Sequence, residues 1–482
     1  MSTSTLKRSI GLFGAIATGL GLVVASNTLV SLGQGMGIGG PGFIFPMFVA
    51  LILNLLVAFS FAELASILPR AGGINYYTLP AFGPFLGMVA VISGYVIVNM
   101  FAGSAEAAVA GMVFRDVFVP WFNPTLFSVL LVTVLGIVNI LGVDLFVKVQ
   151  VVLVSAMVGS LVILGIIGLS GMGGGTPLPT ALSEYSFNPM GIGVLSLTAL
   201  GFWLFVGVEL VTPMAEEIKN PNLNIPIAMI ASLVIILIAK VLYGYASLKY
   251  VPMDVLAGSM APHVDTANAI LGRTGQIWIG LVSLFATATT INTLLAAVPR
   301  MLYGMALKGQ LPQIFGHVTR WKTPGVAIGF MTLAILSFVL SGVASIDTII
   351  VFILAGACSW FITYIIAHLD VLILRRKYPN VVRVFKSPLG FWPQIIGIVG
   401  MIYMMFNIFP DPEIKAQIYK YVVIFVGATI VFSALWVKFK MKKGLFETTP
   451  LESLLQETDE TVILSGAGAA VPANNATKSE TI

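Results

Sequence analysis

Three ionisable side chains, Glu106, Glu209 and Lys240, lie inside long apolar stretches of the sequence. A charge so placed is costly unless paired or solvated, and its usual work is to hold a charged ligand or carry a proton. Glu106 has three readings: it meets a ligand ammonium, it carries the coupling proton, or it lies near the outer end of its stretch and snorkels to water beside Arg115. Glu209 is a proton acceptor or gate, or else a neutral acid capping backbone amides. Lys240 must face other segments of the protein, where it finds an acid or loses its proton; pairing with an acid is its expected role, and coupling or gating is the alternative. Two stretches also carry features that an uninterrupted helix does not need. The first has Gly19, Gly21 and Ala25-Ser26-Asn27-Thr28, then Gly33, Gly35, Gly37, Gly39 and Gly40. The second is Gly201-Phe202-Trp203-Leu204-Phe205-Val206-Gly207-Val208-Glu209. If the helices break there, amides opening the second half attract a carboxylate and carbonyls closing the first half attract an ammonium. A zwitterion is then bound without any charged side chain. The other reading is close packing of small residues between helices.

Other chemistries have little to stand on. His263, His317 and His368 are too far apart for a helical metal motif, and Cys358 is the only cysteine, so a cysteine metal cluster and a disulfide within the chain are excluded. No nucleophile–base constellation is visible, so the chain is not expected to be an enzyme, and no cofactor or metal is expected. Gly35-Met36-Gly37-Ile38-Gly39-Gly40 fits a dinucleotide fingerprint in form, but it follows a membrane helix instead of a strand and is discarded.

The elements that position these residues follow from composition. With 9% charged and 58% apolar residues, a chain of 482 residues cannot keep a soluble surface wet, so its main solvent is the lipid bilayer. Apolar stretches of about 20 residues, enough to cross roughly 30 Å of hydrocarbon, recur along the whole chain. They predict an all-α polytopic membrane protein of about twelve spans. The spans lie near 11–33, 41–68, 86–113, 125–142, 145–170, 191–213, 226–250, 275–304, 325–342, 346–372, 390–410 and 419–440. The expected organisation is a cytoplasmic N-terminus over 1–10, a transporter domain over 11–443, and a mostly disordered cytoplasmic tail over 444–482 with one short helix near 451–456. Lys7, Arg8, Arg70, Lys219, Arg375, Arg376, Lys377, Lys442 and Lys443 fall on one side of this map, while Arg115, Lys249, Arg273, Lys415 and Lys420 fall on the other. The richer side is expected inside, with both termini cytoplasmic and the protein in the cell membrane. The positive charge is dispersed over short loops, so no nucleic-acid partner is expected.

The loops also carry recognisable sequence. After span 2 the chain reads Ala62-Glu63-Leu64-Ala65-Ser66-Ile67-Leu68-Pro69-Arg70-Ala71-Gly72-Gly73, and after span 6 Glu216-Glu217-Ile218-Lys219-Asn220-Pro221. Span 8 ends Pro299-Arg300-Met301-Leu302-Tyr303-Gly304-Met305-Ala306, and span 10 runs into Leu374-Arg375-Arg376-Lys377-Tyr378-Pro379. In this order the four segments resemble signatures of the amino acid–polyamine–organocation (APC) superfamily of permeases. The resemblance implies two inverted five-helix repeats plus two extra helices, with helices 1 and 6 broken and spans 1, 3, 6 and 8 lining the substrate site.

It also implies site residues. Ala25-Ser26-Asn27 falls where the superfamily has a Gly-Ser-Gly turn that seats an α-carboxylate; only Ser26 is retained. With these go Thr28, and Ala102 on the face of span 3 that also carries Glu106. In span 6, Trp203 matches an aromatic that covers the ligand, Leu204 is expected to narrow the pocket, and Phe205 and Gly207 complete the turn before Glu209. The lysine that proton-coupled members carry in span 5 is here Met157. Thr287, Thr289, Thr290 and Thr293 offer hydroxyls for sodium, although threonines in membrane helices mostly bond their own backbone. The expected function is alternating-access transport of an amino acid driven by protons through an acid, with sodium an open alternative. A polyamine or other organic-amine carrier or exchanger, and a transporter-like nutrient sensor, are the other readings.

Overall fold

The computed structural model describes residues 8–178, 187–259, 261–342, 349–409 and 411–456. Among the described residues the chain is helical, and its only β pairing is an isolated bridge between Ile10 and Ile218. Nine helical runs there are long and apolar enough to cross a membrane, and Leu12–Val23, Gly325–Leu340 and Trp392–Phe406 are shorter apolar helices. Together they account for all twelve expected spans, because the run Ser26–Ile67 contains the second half of span 1 and all of span 2. Large apolar side chains such as Ile52, Val134, Val152, Ile163, Leu333, Val399 and Val423 stand exposed along these helices. Such a surface suits hydrocarbon, and the backbone groups beneath it are satisfied within each helix.

Spans 1 and 6 are both broken. Span 1 consists of Leu12–Val23 and Ser26–Gly39, separated at Val24 and Ala25. Span 6 runs as a 3-10 turn Gly191–Leu197 and a short α-helix Thr198–Trp203, then turns and resumes as 3-10 helix over Val208–Met214. Gly207 carries φ 110°, a conformation that favours glycine, and a Cβ there would lie 2.2 Å from Leu22 Cδ2. Close packing accompanies the break: a Cβ on Gly21 would lie 1.9 Å from Gln150 Nε2 and 2.0 Å from Thr293 Oγ1. The two readings of these segments therefore hold together.

Span 3 is not a regular α-helix. It passes through π-helical segments at Ile92–Ile97 and Asn99–Gly103 before Ser104–Val113. Each wide turn changes which face the following residues present. The connection between spans 7 and 8 is also largely helical. It contains Met253–Gly258 and the start of Pro262–Leu307, a helix kinked at Gly272, where φ is 61°.

The charged loops gather on one face. Lys219 donates its backbone N–H to Ile10 O at 2.8 Å, and Arg300 holds Glu217 through two 2.9 Å hydrogen bonds, both side chains fully buried. Arg375 and Arg383 converge on Glu63. Beside them Arg70 meets Glu216 at 3.6 Å, and burial holds the Glu216 carboxyl above the usual carboxylate range despite the Ala71 N–H and Arg70. The first part of the C-terminal segment docks here too: Thr449 donates to Leu79 O, a helix covers 451–456, and Leu451 and Leu454 are buried. The rest of the tail, and residues 1–7, lie outside the described residues.

Candidate functional site

The breaks in spans 1 and 6 meet at a small, partly enclosed cavity. Of the expected residues, Ala25, Asn27, Thr28, Ala102 and Trp203 line it. Trp203 donates its indole N–H to Asn27 Oδ1 at 3.2 Å, so the aromatic of span 6 is tied to the break in span 1. The remaining wall is mostly apolar, with Trp360 of span 10 and Asn99 of span 3 the notable additions. Trp203 and Trp360 lie edge to face, their ring centroids 6.1 Å apart.

Glu106 does not reach water, as its snorkelling reading required. It is buried against span 1, where its Oε1 accepts from the Ser26 N–H at 2.6 Å and its Oε2 from the Asn27 N–H at 3.1 Å. Thr287 Oγ1 of span 8 donates to the same carboxylate at 3.0 Å. Ser26 is fixed from behind, its hydroxyl donating to Ser283 O at 2.6 Å. The amides that open the second half of span 1 are thus met by a carboxylate, as a helix N-terminus favours, and the carboxylate belongs to the chain. Arg115, the neighbour expected from sequence, pairs instead with exposed Asp116.

Lys240 finds carbonyls where an acid was expected. Its Nζ donates to Val23 O at 2.8 Å, to Leu204 O at 2.7 Å and to Thr28 Oγ1 at 2.9 Å. Those carbonyls close the first halves of spans 1 and 6, and three acceptors use the three N–H bonds of an ammonium. One buried side chain from span 7 therefore fastens both breaks together. Leu204 and Phe205 are buried but do not line the cavity, so Leu204 contributes its carbonyl to Lys240 rather than bulk to the pocket.

Glu209 is buried one turn beyond the break, where it accepts from Tyr364 at 2.8 Å and from Tyr95 at 3.4 Å. These phenols come from spans 10 and 3. The span 8 threonines have separate partners: Thr287 bonds Glu106, Thr289 bonds Ala286 O, Thr290 bonds Gly21 O, and Thr293 accepts from Gln150. Met157 is buried in the core, and the polar side chain that span 5 sends to span 1 is Gln150, whose Nε2 lies 3.3 Å from Ala17 O.

A carboxylate on one pole of a broken helix, an ammonium on the other, and an aromatic-walled cavity beside them are the features of a candidate solute-binding site. Comparison with known proteins agrees with that architecture. The amino acid permease family matches residues 7–440, nearly the whole chain. The protein belongs to this family. Its relatives include the branched-chain amino acid permease BcaP of Bacillus subtilis (strain 168), 26% identical over 406 residues that cover 80% of this chain and 84% of BcaP. The serine/threonine exchanger SteT of the same organism is 25% identical over 413 residues, covering 83% and 91% of the two chains. The glutamate/serine transporter AimA, also from that organism, is 27% identical over 427 residues, covering 80% and 76%. As an amino acid permease by family the chain is a membrane transporter and not an enzyme, and the range of solutes in these names leaves its own ligand to be argued from the site.

Several residues of this permease site escaped the sequence reading. Trp360, Asn99 and Leu294 line the cavity from spans 10, 3 and 8, and only Asn99 gave a signal, as an amide within an apolar stretch. Gln150 gave the same kind of signal in span 5.

Proposed function

We propose that this permease is a secondary carrier of an amino acid or a closely related amine, working by alternating access with the proton as its driving ion. The observation that carries this reading is the meeting of two broken helices, spans 1 and 6, around one small cavity. Half-helices that end at mid-membrane offer backbone poles to a small charged solute, and rocking of the surrounding bundle exposes such a site to each side in turn. Glu209, a buried acid joined to spans 3 and 10 through Tyr95 and Tyr364, is the candidate proton carrier, since a proton gained or lost there bears on three helices at once. The protein sits in the cell membrane with both termini and the Glu216–Pro226 loop in the cytoplasm, a reading that rests on the surplus of basic residues on that face.

Purified protein in liposomes tests this. Labelled amino acids and amines supplied under an imposed proton gradient should accumulate saturably, and a sodium gradient alone should not drive them. Accumulation that follows sodium and ignores protons refutes the coupling. Absence of accumulation, exchange and ligand-induced stabilisation across both solute classes refutes the carrier.

A further inference from the structure

The break in span 1 exposes few donors, and all are in use. The Ser26 and Asn27 N–H groups go to Glu106, and the Thr28 N–H turns back to Ala25 O at 3.0 Å. At the opposite pole Val23 O and Leu204 O are held by Lys240. The poles that suit the two ends of a zwitterion are both filled from within the chain, by side chains of spans 3 and 7.

We propose that Glu106 is a resident substitute for a ligand carboxylate, so that the site takes small amines without a free carboxylate, such as amines and amino amides. The inference rests on the carrier reading above and narrows its ligand. A second carboxylate in this cavity would find the amides spent and a fixed negative charge beside them, in a medium where like charges repel strongly. An ammonium meets the opposite conditions. Every group donating to the Glu106 carboxylate is neutral: two backbone amides and the Thr287 hydroxyl. Lys240 spends its donors on carbonyls and Thr28, so the Glu106 charge has no direct ion pair. Asn99 Oδ1, on the cavity wall, is a buried acceptor with no partner, and the Trp203 and Trp360 rings offer faces that attract cations. The apolar rest of the wall receives the carbon skeleton.

The test uses the whole protein in nanodiscs and liposomes with matched probes: leucine, leucinamide and isoamylamine, then phenylalanine, phenylalaninamide and phenethylamine, then lysine, lysinamide and cadaverine. Thermal stabilisation and competition against a labelled amine give the affinities. In the unmodified protein the amide and the amine should bind at least about tenfold tighter than the parent amino acid in one or more series. Glu106→Ala frees the Ser26 and Asn27 amides and should reverse the order, raising affinity for the parent amino acid. Glu106→Gln keeps the size and loses the charge, and should reduce amine binding at least about tenfold without an equal loss for the uncharged isoamyl alcohol. Should Glu106→Ala not fold, the series on the unmodified protein and on Glu106→Gln decides. Parent amino acids binding as tightly as their amides and amines in all three series overturn the inference and leave the carrier reading intact. Binding of no probe, with no transport of any amino acid, overturns both.

Discussion

Replacing Lys240 by methionine removes three hydrogen bonds while keeping a chain of similar length in the same buried channel. The consequences differ at the three acceptors. Thr28 Oγ1 keeps its own bond to Ala25 O at 2.7 Å, and Val23 O keeps at most the weaker arm of that one shared hydrogen at 3.2 Å. Leu204 O, inside a turn, is left without a donor. A buried acceptor stripped of its partner costs about 1–3 kcal/mol, and bonds from a charged donor contribute about 1.5–3 kcal/mol each. Relief of the desolvation borne by the buried ammonium opposes these losses. With one acceptor fully orphaned and one partly so, we expect Lys240→Met to lose about 2–4 kcal/mol of unfolding free energy, at the scale of a buried hydrogen-bond deletion. The assay is reversible unfolding in mixed micelles, paired with hydrogen exchange at the two breaks. Because about 1.4 kcal/mol is tenfold in an equilibrium, amides near Val24 and Leu204 should exchange roughly 30-fold to 1000-fold faster if the loss is local. An unfolding free energy within about 0.5 kcal/mol of the parent, the usual range of a surface substitution, together with unchanged exchange, would refute the claim that Lys240 fastens the breaks.

Gly207→Ala should cost about 2–5 kcal/mol and abolish transport, since φ 110° disfavours any side chain and the new Cβ would lie 2.2 Å from Leu22 Cδ2; unfolding and uptake measured together check it. Arg300→Met leaves Glu217 buried without its partner and should destabilise by about 3–5 kcal/mol, whereas Arg300→Met with Glu217→Met should recover most of that loss in a double-mutant cycle; a double variant no better than the single contradicts it. In a Cys358→Ser background, Lys415→Cys should react with an impermeant thiol reagent applied outside intact cells and Lys219→Cys should not; the reverse pattern inverts the topology.

Much of this protein was legible in its residues. The scarcity of charge required a bilayer, and the length of each apolar stretch set the number and approximate ends of the spans, because hydrocarbon thickness and helix rise are fixed quantities. The breaks in spans 1 and 6 were readable from local composition, since Gly207 and the Ala25-Ser26-Asn27-Thr28 segment act on the backbone where they stand. The same holds for the cost of burying Glu106, Glu209 and Lys240, which required each to find some partner. Which partner was a tertiary matter. Glu106 meets amides 80 and 79 positions away, and Lys240 meets a carbonyl 217 positions away, so no local pattern relates them. The face that Glu106 presents also depends on the π-helical turns at Ile92–Ile97 and Asn99–Gly103, whose wider hydrogen bonding alters the helical phase that sequence spacing assumes. Lys240 was expected to need an acid because charge is visible in a sequence, while the carbonyls of Val23 and Leu204 that it binds exist in every residue and become acceptors only where the folded chain breaks its helices.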